Sequence, residues 1–256
     1  MSFTIQDMEY YLLVLMRVSA FVMTAPMFRY NSIPARVKAA ISFILSIVVI
    51  QTVPVVTVSY EGVFGFSALV LKEAAAGAIL GFMCTLCTYI INFAGQIMDI
   101  EMGLSMAQMF DPLSNSQVTI TGNIYNYLFM LLMLVTNMHY YIIRAIIDCF
   151  QYYNVGQAVF RQNLAQIMIA FMGDYFLIAV RIVLPVFCCM LLINVVLGVL
   201  SKAAPQMNMF VVGMQIKVMV GIVILILLVQ TLPTVSDFVF SEMKQVITNV
   251  VNGFKP

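Results

Sequence analysis

The chain has 256 residues, 63% of them hydrophobic and only 9% charged, with a strongly positive mean hydropathy. Soluble globular domains carry about a quarter of their residues charged, so this composition excludes that class and points to a membrane. Twelve Lys and Arg against eleven Asp and Glu leave a net charge of +1, which gives no electrostatic case for nucleic acid or a polyanionic substrate.

The opening residues MSFTIQDMEYY carry Asp7 and Glu9 where a secretory signal would place basic residues, so the first apolar run is expected to be retained. A bilayer crossing needs about 20 apolar residues at a rise of about 1.5 Å each. Six runs qualify, at residues 8–28, 37–58, 64–93, 124–147, 167–200 and 210–232. All are expected as helices, because open strands leave backbone groups unpaired in lipid. The third and fifth runs, of 30 and 34 residues, are longer than a simple span and imply tilt, a break or packing within protein. Pro185 predicts a kink in the fifth.

After Pro233, apolar residues from Val235 to Val251 recur at three- and four-residue steps, predicting an amphipathic helix. Its apolar face would lie on a membrane surface or against a partner subunit. The fold class expected is therefore all-α: a polytopic membrane protein of about six long hydrophobic helices, some kinked, with a C-terminal amphipathic helix. Orientation does not follow from charge. With the amino terminus outside, Arg29, Arg36, Lys38 and Lys202 fall inside and Arg144, Arg161, Lys244 and Lys255 outside, so the usual cytoplasmic excess is missing.

Five charges interrupt the apolar runs: Arg17, Lys72, Glu73, Arg181 and Lys217. A charge at the centre of a lone helix costs about 2.5–3.5 kcal/mol on insertion scales. Buried pairing between helices, or snorkelling to an interface, is the expectation; a substrate or proton path is the alternative. Lys72 and Glu73 are sequence neighbours and cannot face each other on a helix. Gly77 and Gly81, in GAILG, form a small-xxx-small face suited to close helix approach. Cys84, Cys87, Cys149, Cys188 and Cys189 lie mostly in apolar runs and read as small hydrophobes. His139, beside Tyr140 and Tyr141, reads as an interfacial residue. No catalytic set, metal cluster or phosphate loop stands out, so neither covalent chemistry nor a cofactor is expected.

The stretch MDIEMGLSMAQMFDPLSNSQ, residues 98–117, is different in kind. Met98, Met102, Met106 and Met109 would share one face of a helix, with Gly103 loosening it and Asp111-Pro112 ending it. Methionine is unbranched and polarizable, so such a stripe can seal around different shapes. An ordinary core stripe is the competing reading. Asp99, Glu101 and the run Ser114-Asn115-Ser116 argue for a loop that meets a water-accessible cavity.

Taken together, the motifs resemble the FliR/SctT family of type III export apparatus subunits, flagellar in the FliR branch and virulence-related in SctT. The resemblance runs through Arg17-Val18-Ser19-Ala20, Pro26, Phe28, Ile33-Pro34 and Arg36-Val37-Lys38. It continues through Gly81-Phe82, Gly95, Met102-Gly103-Leu104-Ser105, Asp111-Pro112 and Gly198, then Ala204-Pro205-Gln206, Phe210 and Gly213, and closes on Phe240-Ser241-Glu242. It spans nearly the whole chain in order, and the pairing of the Gly-Leu-Ser and Asp-Pro elements with Ala-Pro-Gln is what makes it specific.

The resemblance implies a single membrane domain, with residues 1–200 FliP-like and 201–256 completing a FliQ-like hairpin with the fifth helix. It implies an export-gate subunit in the bacterial inner membrane at the flagellar basal body, with FliP-like and FliQ-like subunits and FlhB-like and FlhA-like components as partners. Such assemblies are helical around a protein-conducting pore for unfolded flagellar substrates and stand partly above the membrane plane, which would account for the overlong helices and the missing charge bias. Residues 98–122 would hold the closed-state plug, with Met102, Met106, Met109, Phe110, Asp111 and Pro112 in it and Gly103 and Gly122 as hinges. In the turn 201–209, Lys202, Pro205 and Gln206 would face the substrate entrance; the alternative reading has Lys202 cap a helix end. The rivals are a secondary transporter built on the intramembrane charges and Pro185, an intramembrane enzyme, and a scaffold without a pore.

Overall fold

The computed structural model describes residues 5–29, 33–54, 58, 60, 62–105, 119–160, 162–206 and 208–254. Its helices are α1 (Ile5–Thr24), α2 (Ala35–Thr52), α3 (Gly62–Met102), α4 (Ile120–Val135), α5 (Met138–Tyr152), α6 (Gln162–Ala203), α7 (Met209–Leu228) and α8 (Leu232–Gly253), with a 3-10 turn at Val229–Thr231 joining the last two. No strand occurs among the described residues. The protein is an all-α polytopic membrane protein. Four stretches are long and apolar enough to cross a membrane, and α4 with α5 adds a fifth if the pair forms one broken span. The first apolar run falls short of that test: α1 carries Asp7, Glu9 and Arg17 in 20 residues and buries Leu13, Val14, Val18 and Phe21 completely within the chain.

The helix boundaries follow local chemistry. α2 ends where Val53 turns extended, as the residue before Pro54 must to avoid the proline ring. Within α2, the Ser42 and Ser46 hydroxyls donate to the carbonyls of Lys38 and Ser42, at 2.8 and 2.7 Å, which satisfies two buried polar groups inside an apolar span. α3 runs past the end of its apolar core to Met102 and stops at Gly103, whose φ of +79° is left-handed. Gly103, and not Asp111-Pro112, therefore ends this helix, since a residue without Cβ enters that conformation freely.

The fourth apolar run is two helices. Asn137, at φ +58°, breaks it between α4 and α5; asparagine tolerates the left-handed region better than most residues with a side chain. α6 is one helix of 42 residues that continues through Pro185, where the missing N–H leaves the carbonyl of Arg181 without its intrahelical donor.

The chain forms two compact units. The first comprises Met1–Cys87, Thr136–Met172 and Phe240–Pro256. In it the apolar face of the C-terminal helix is covered by the chain itself: Met243, Ile247, Val250 and Phe254 are buried. Phe254 stacks near Tyr153 and Phe160, and its carbonyl accepts from the N–H of Val159 at 3.4 Å. Neither a membrane surface nor a partner subunit is needed to explain that face. The second unit comprises Thr88–Val135 and Gly173–Val239. Here Phe93 packs against Tyr175 and Phe176, and the Tyr175 hydroxyl donates to the carbonyl of Tyr89 at 3.2 Å, holding α6 to the end of α3.

Candidate functional site

Two constructions stand out, one in each unit. In the first unit the small-residue face of α3 receives α1. A Cβ on Gly77 would lie 2.0 Å from the carbonyl oxygen of Arg17, and one on Gly81 would lie 2.8 Å from that of Phe21, so only glycine allows the two backbones to meet. Thr85 donates to the carbonyl of Thr24 at 2.5 Å, one more tie along the same seam. This close register sets Arg17 opposite Glu73, one turn before Gly77.

The Arg17 Nε donates to Glu73 Oε2 at 2.5 Å, and neither side chain is exposed at all. Glu73 Oε1 accepts from the backbone N–H of Gly156 at 2.8 Å. Gly156 has φ +84°, a conformation that a glycine reaches without strain and that aims this N–H at the carboxylate. The guanidinium carbon lies 4.1 Å from the ring centre of Phe150 and 4.4 Å from that of Tyr153. Both terminal guanidinium nitrogens lack a hydrogen-bond partner among the described residues; the rings supply the compensating interaction, since aromatic faces attract a cation. Cys149 Sγ and the Tyr153 hydroxyl sit 2.8 Å apart and hydrogen-bond to each other, either one able to donate. The sequence makes Arg17 and Glu73 conspicuous but not Phe150, Tyr153 and Gly156, which lie between the fourth and fifth apolar runs.

In the second unit, α3 and α4 are clasped where the chain leaves and re-enters segment 106–118. A Cβ on Gly95 would lie 2.2 Å from Cα of Gly122, so the two helices touch backbone to backbone. Above that contact, the buried Asp99 accepts from the N–H of Thr121, at 3.2 Å to each carboxylate oxygen. A carboxylate at a helix N-terminus meets unpaired N–H groups and the positive end of the helix dipole. Met98 and Met102 are buried, and Met102 lies against Gly221 of α7, where any Cβ would approach its sulfur to 2.6 Å. These two methionines are packed core at the foot of the segment.

Of the residues singled out for a plug, Met106, Met109, Phe110, Asp111 and Pro112 lie outside the described residues. Gly103 has the backbone freedom of a hinge. Gly122 lies within regular helix, and its lack of a side chain serves close approach. In the turn after α6, Lys202, Pro205 and Gln206 are exposed, with Lys202 in the last helical turn, where a cation is favoured. Lys72 and Arg181 are exposed and Lys217 is half-buried. None of the three forms an ion pair among the described residues, so buried pairing is limited to Arg17 and Glu73.

A model of the family described as bacterial export proteins, family 1, matches residues 8–243. The flagellar biosynthetic protein FliR of Bacillus subtilis (strain 168) is 30% identical over 244 residues, covering 94% of this chain and 94% of the relative. The protein of that name from Escherichia coli (strain K12) is 29% identical over 240 residues, covering 93% and 91%; that from Aquifex aeolicus (strain VF5) is 26% identical over 245 residues, covering 95% and 94%. With its polytopic helices and a match over nearly its whole length, the chain belongs to the bacterial export proteins of family 1, alongside the flagellar FliR proteins.

Proposed function

We propose that this protein is a subunit of the flagellar type III export gate, and that segment 106–118 serves as its closed-state plug. The gate passes unfolded flagellar substrates through a pore built with FliP-like and FliQ-like subunits, next to FlhB-like and FlhA-like components, in the bacterial inner membrane at the basal body. The observation that carries the plug reading is the clasp: Gly95 against Gly122 and Asp99 on Thr121 fix both ends of the segment on one rigid base. The helices that bear the segment are thus held to each other by contacts of their own. Met106, Met109 and Phe110 supply apolar, adaptable side chains for sealing, and Gly103 supplies the turn out of α3.

The plug keeps ions and water from leaking while no substrate is in transit. Met106→Asp with Met109→Asp is expected to raise resting ion conductance of the assembled complex, measured in planar bilayers or by ion-sensitive dyes in vesicles, while assembly persists. Conductance equal to wild type would rule out the sealing role. A secondary-transporter reading draws less support, because Arg17 and Glu73 are engaged with each other and with the Gly156 N–H.

A further inference from the structure

In the first unit α5 and α8 lie side by side and run the same way. The Lys244 ammonium is 5.4 Å from the ring centre of Tyr141 at one end, and the Tyr153 and Phe254 rings lie 5.5 Å apart at the other. Between the two helices is a recess of about 190 Å3. Its floor is apolar and buried, made of Ala145, Ile247 and Val251. Its walls carry Asp148, Thr248 and Asn252, with Tyr141 and Tyr152 beside them. The floor explains why the helices pair; the polar walls add nothing to that packing.

Charge is divided along this groove. Arg144 and Lys244 lie towards the Tyr141 end, and Asp148 lies one turn further along α5. Arg144 Nε is 3.7 Å from Asp148 Oδ2, with the two side chains 78% and 38% exposed. A pair so long and so open to water is weak, and either member can exchange it for another partner. Beyond Asp148 both helices stop, α5 at Tyr152 and α8 at Gly253. Parallel helices that end together bring their free last-turn carbonyls and the negative ends of their dipoles to one place. Neither helix has a basic residue in its last turn to answer them. One half of the groove is therefore cationic, and the other joins a carboxylate to two helix C-termini.

We propose that the groove between α5 and α8 binds the phosphoethanolamine headgroup of a membrane lipid, with its phosphate at Arg144 and Lys244 and its ammonium at Asp148. In that headgroup an anion and a primary ammonium are two carbons apart, a match for opposite charges one helical turn of about 5.4 Å apart. The arginine fork suits phosphate oxygens. The ammonium donates to Asp148 and to last-turn carbonyls, and the tyrosine faces attract it. A lipid is the fitting bearer, because Tyr140 and Tyr152 are exposed on α5 and tyrosine gathers at headgroup depth. A purely anionic headgroup would leave Asp148 facing like charge, and a choline headgroup has no N–H to donate to it. The inference requires only that the chain is membrane-embedded, and it stands or falls separately from the plug.

The test uses the full complex in vesicles that contain one of three photoreactive lipids: phosphatidylethanolamine, phosphatidylglycerol or phosphatidylcholine, each with a diazirine near the head of one acyl chain. Light-dependent adducts are mapped by peptide mass spectrometry. The expected result is an adduct on α5 or α8 whose yield with phosphatidylethanolamine is about tenfold that with either other lipid. Asp148→Asn should lower the phosphatidylethanolamine adduct about tenfold and leave the phosphatidylglycerol adduct unchanged, while Lys244→Gln should lower both. Asp148→Glu, which keeps the charge, should retain most of the adduct. Asp148 belongs to an exposed ion pair, so the midpoint of detergent melting should not move in these variants, which separates lost binding from lost folding. Equal yields from the three lipids would overturn the proposal, as would a phosphatidylethanolamine adduct that Asp148→Asn leaves unchanged or that maps only outside α5 and α8.

Discussion

Glu73→Gln is expected to destabilise the protein by about 3–5 kcal/mol, the cost of stripping one partner from a buried ion pair. Arg17 would keep its charge at zero exposure, with Phe150 and Tyr153 over the guanidinium and no anion to answer it. The amide of glutamine could still accept from the Gly156 N–H, so the loss isolates the charge. Thermal unfolding in mild detergent, followed by retained solubility, reads the effect as a markedly lower midpoint and a fall in membrane abundance. The double variant Arg17→Met with Glu73→Leu should recover most of the loss, because apolar replacement of a whole buried pair is often neutral or stabilising. Equal melting of Glu73→Gln and wild type would mean that the pair is not what fastens α1 to α3.

The second large effect is steric. Gly77→Val would force a Cβ to within 2.0 Å of the Arg17 carbonyl oxygen and 3.2 Å of the Phe21 nitrogen. Both are backbone atoms of a helix, so no side chain can swing aside; α1 has to move off α3, and Arg17 moves off Glu73 with it. Overpacking of this kind costs about 1–3 kcal/mol alone, and loss of the ion pair's register adds to it. Gly173 is the control. A Cβ there meets nothing within 4 Å, so Gly173→Ala should leave stability unchanged or raise it by up to about 1 kcal/mol, the usual gain in a helix. The same detergent melting series reads all of these variants, and a Gly77→Val protein as stable as Gly173→Ala would contradict the close contact.

Much of this fold was legible in the sequence because membrane helices obey a length rule. The long apolar runs became helices, and the spacing of Gly77 and Gly81 announced the face that meets α1. What the runs could not announce was interruption. Thr136 and Asn137 sit inside a single apolar run, residues 124–147, and the left-handed turn at Asn137 shows only in the backbone. The polar Asp99 and Glu101 suggested a loop, yet α3 carries them to Met102, because Asp99 finds its partner in the N–H of Thr121, far along the chain.

The site was legible in part for the same reason. Arg17 and Glu73 are conspicuous as charges in apolar surroundings, but nothing in their positions, 56 residues apart, says that they meet. Phe150, Tyr153 and Gly156 complete the arrangement from yet another helix and its following turn. Their signal, two aromatic residues and a glycine in a polar connection, is too common to single out. The periodicity of the C-terminal helix was plain, whereas its cover, which includes Phe160 and Leu164, came from a remote segment that no local pattern reveals.

The central claim is that this chain works as one subunit of a multi-chain export gate. The most direct measurement is purification of the tagged chain from its native membrane in mild detergent, with quantitative mass spectrometry of what remains bound. The account predicts a stable complex containing FliP-like and FliQ-like subunits in fixed ratio to the tagged chain. Recovery of the chain alone, as a folded and stable monomer or homo-oligomer, would contradict it.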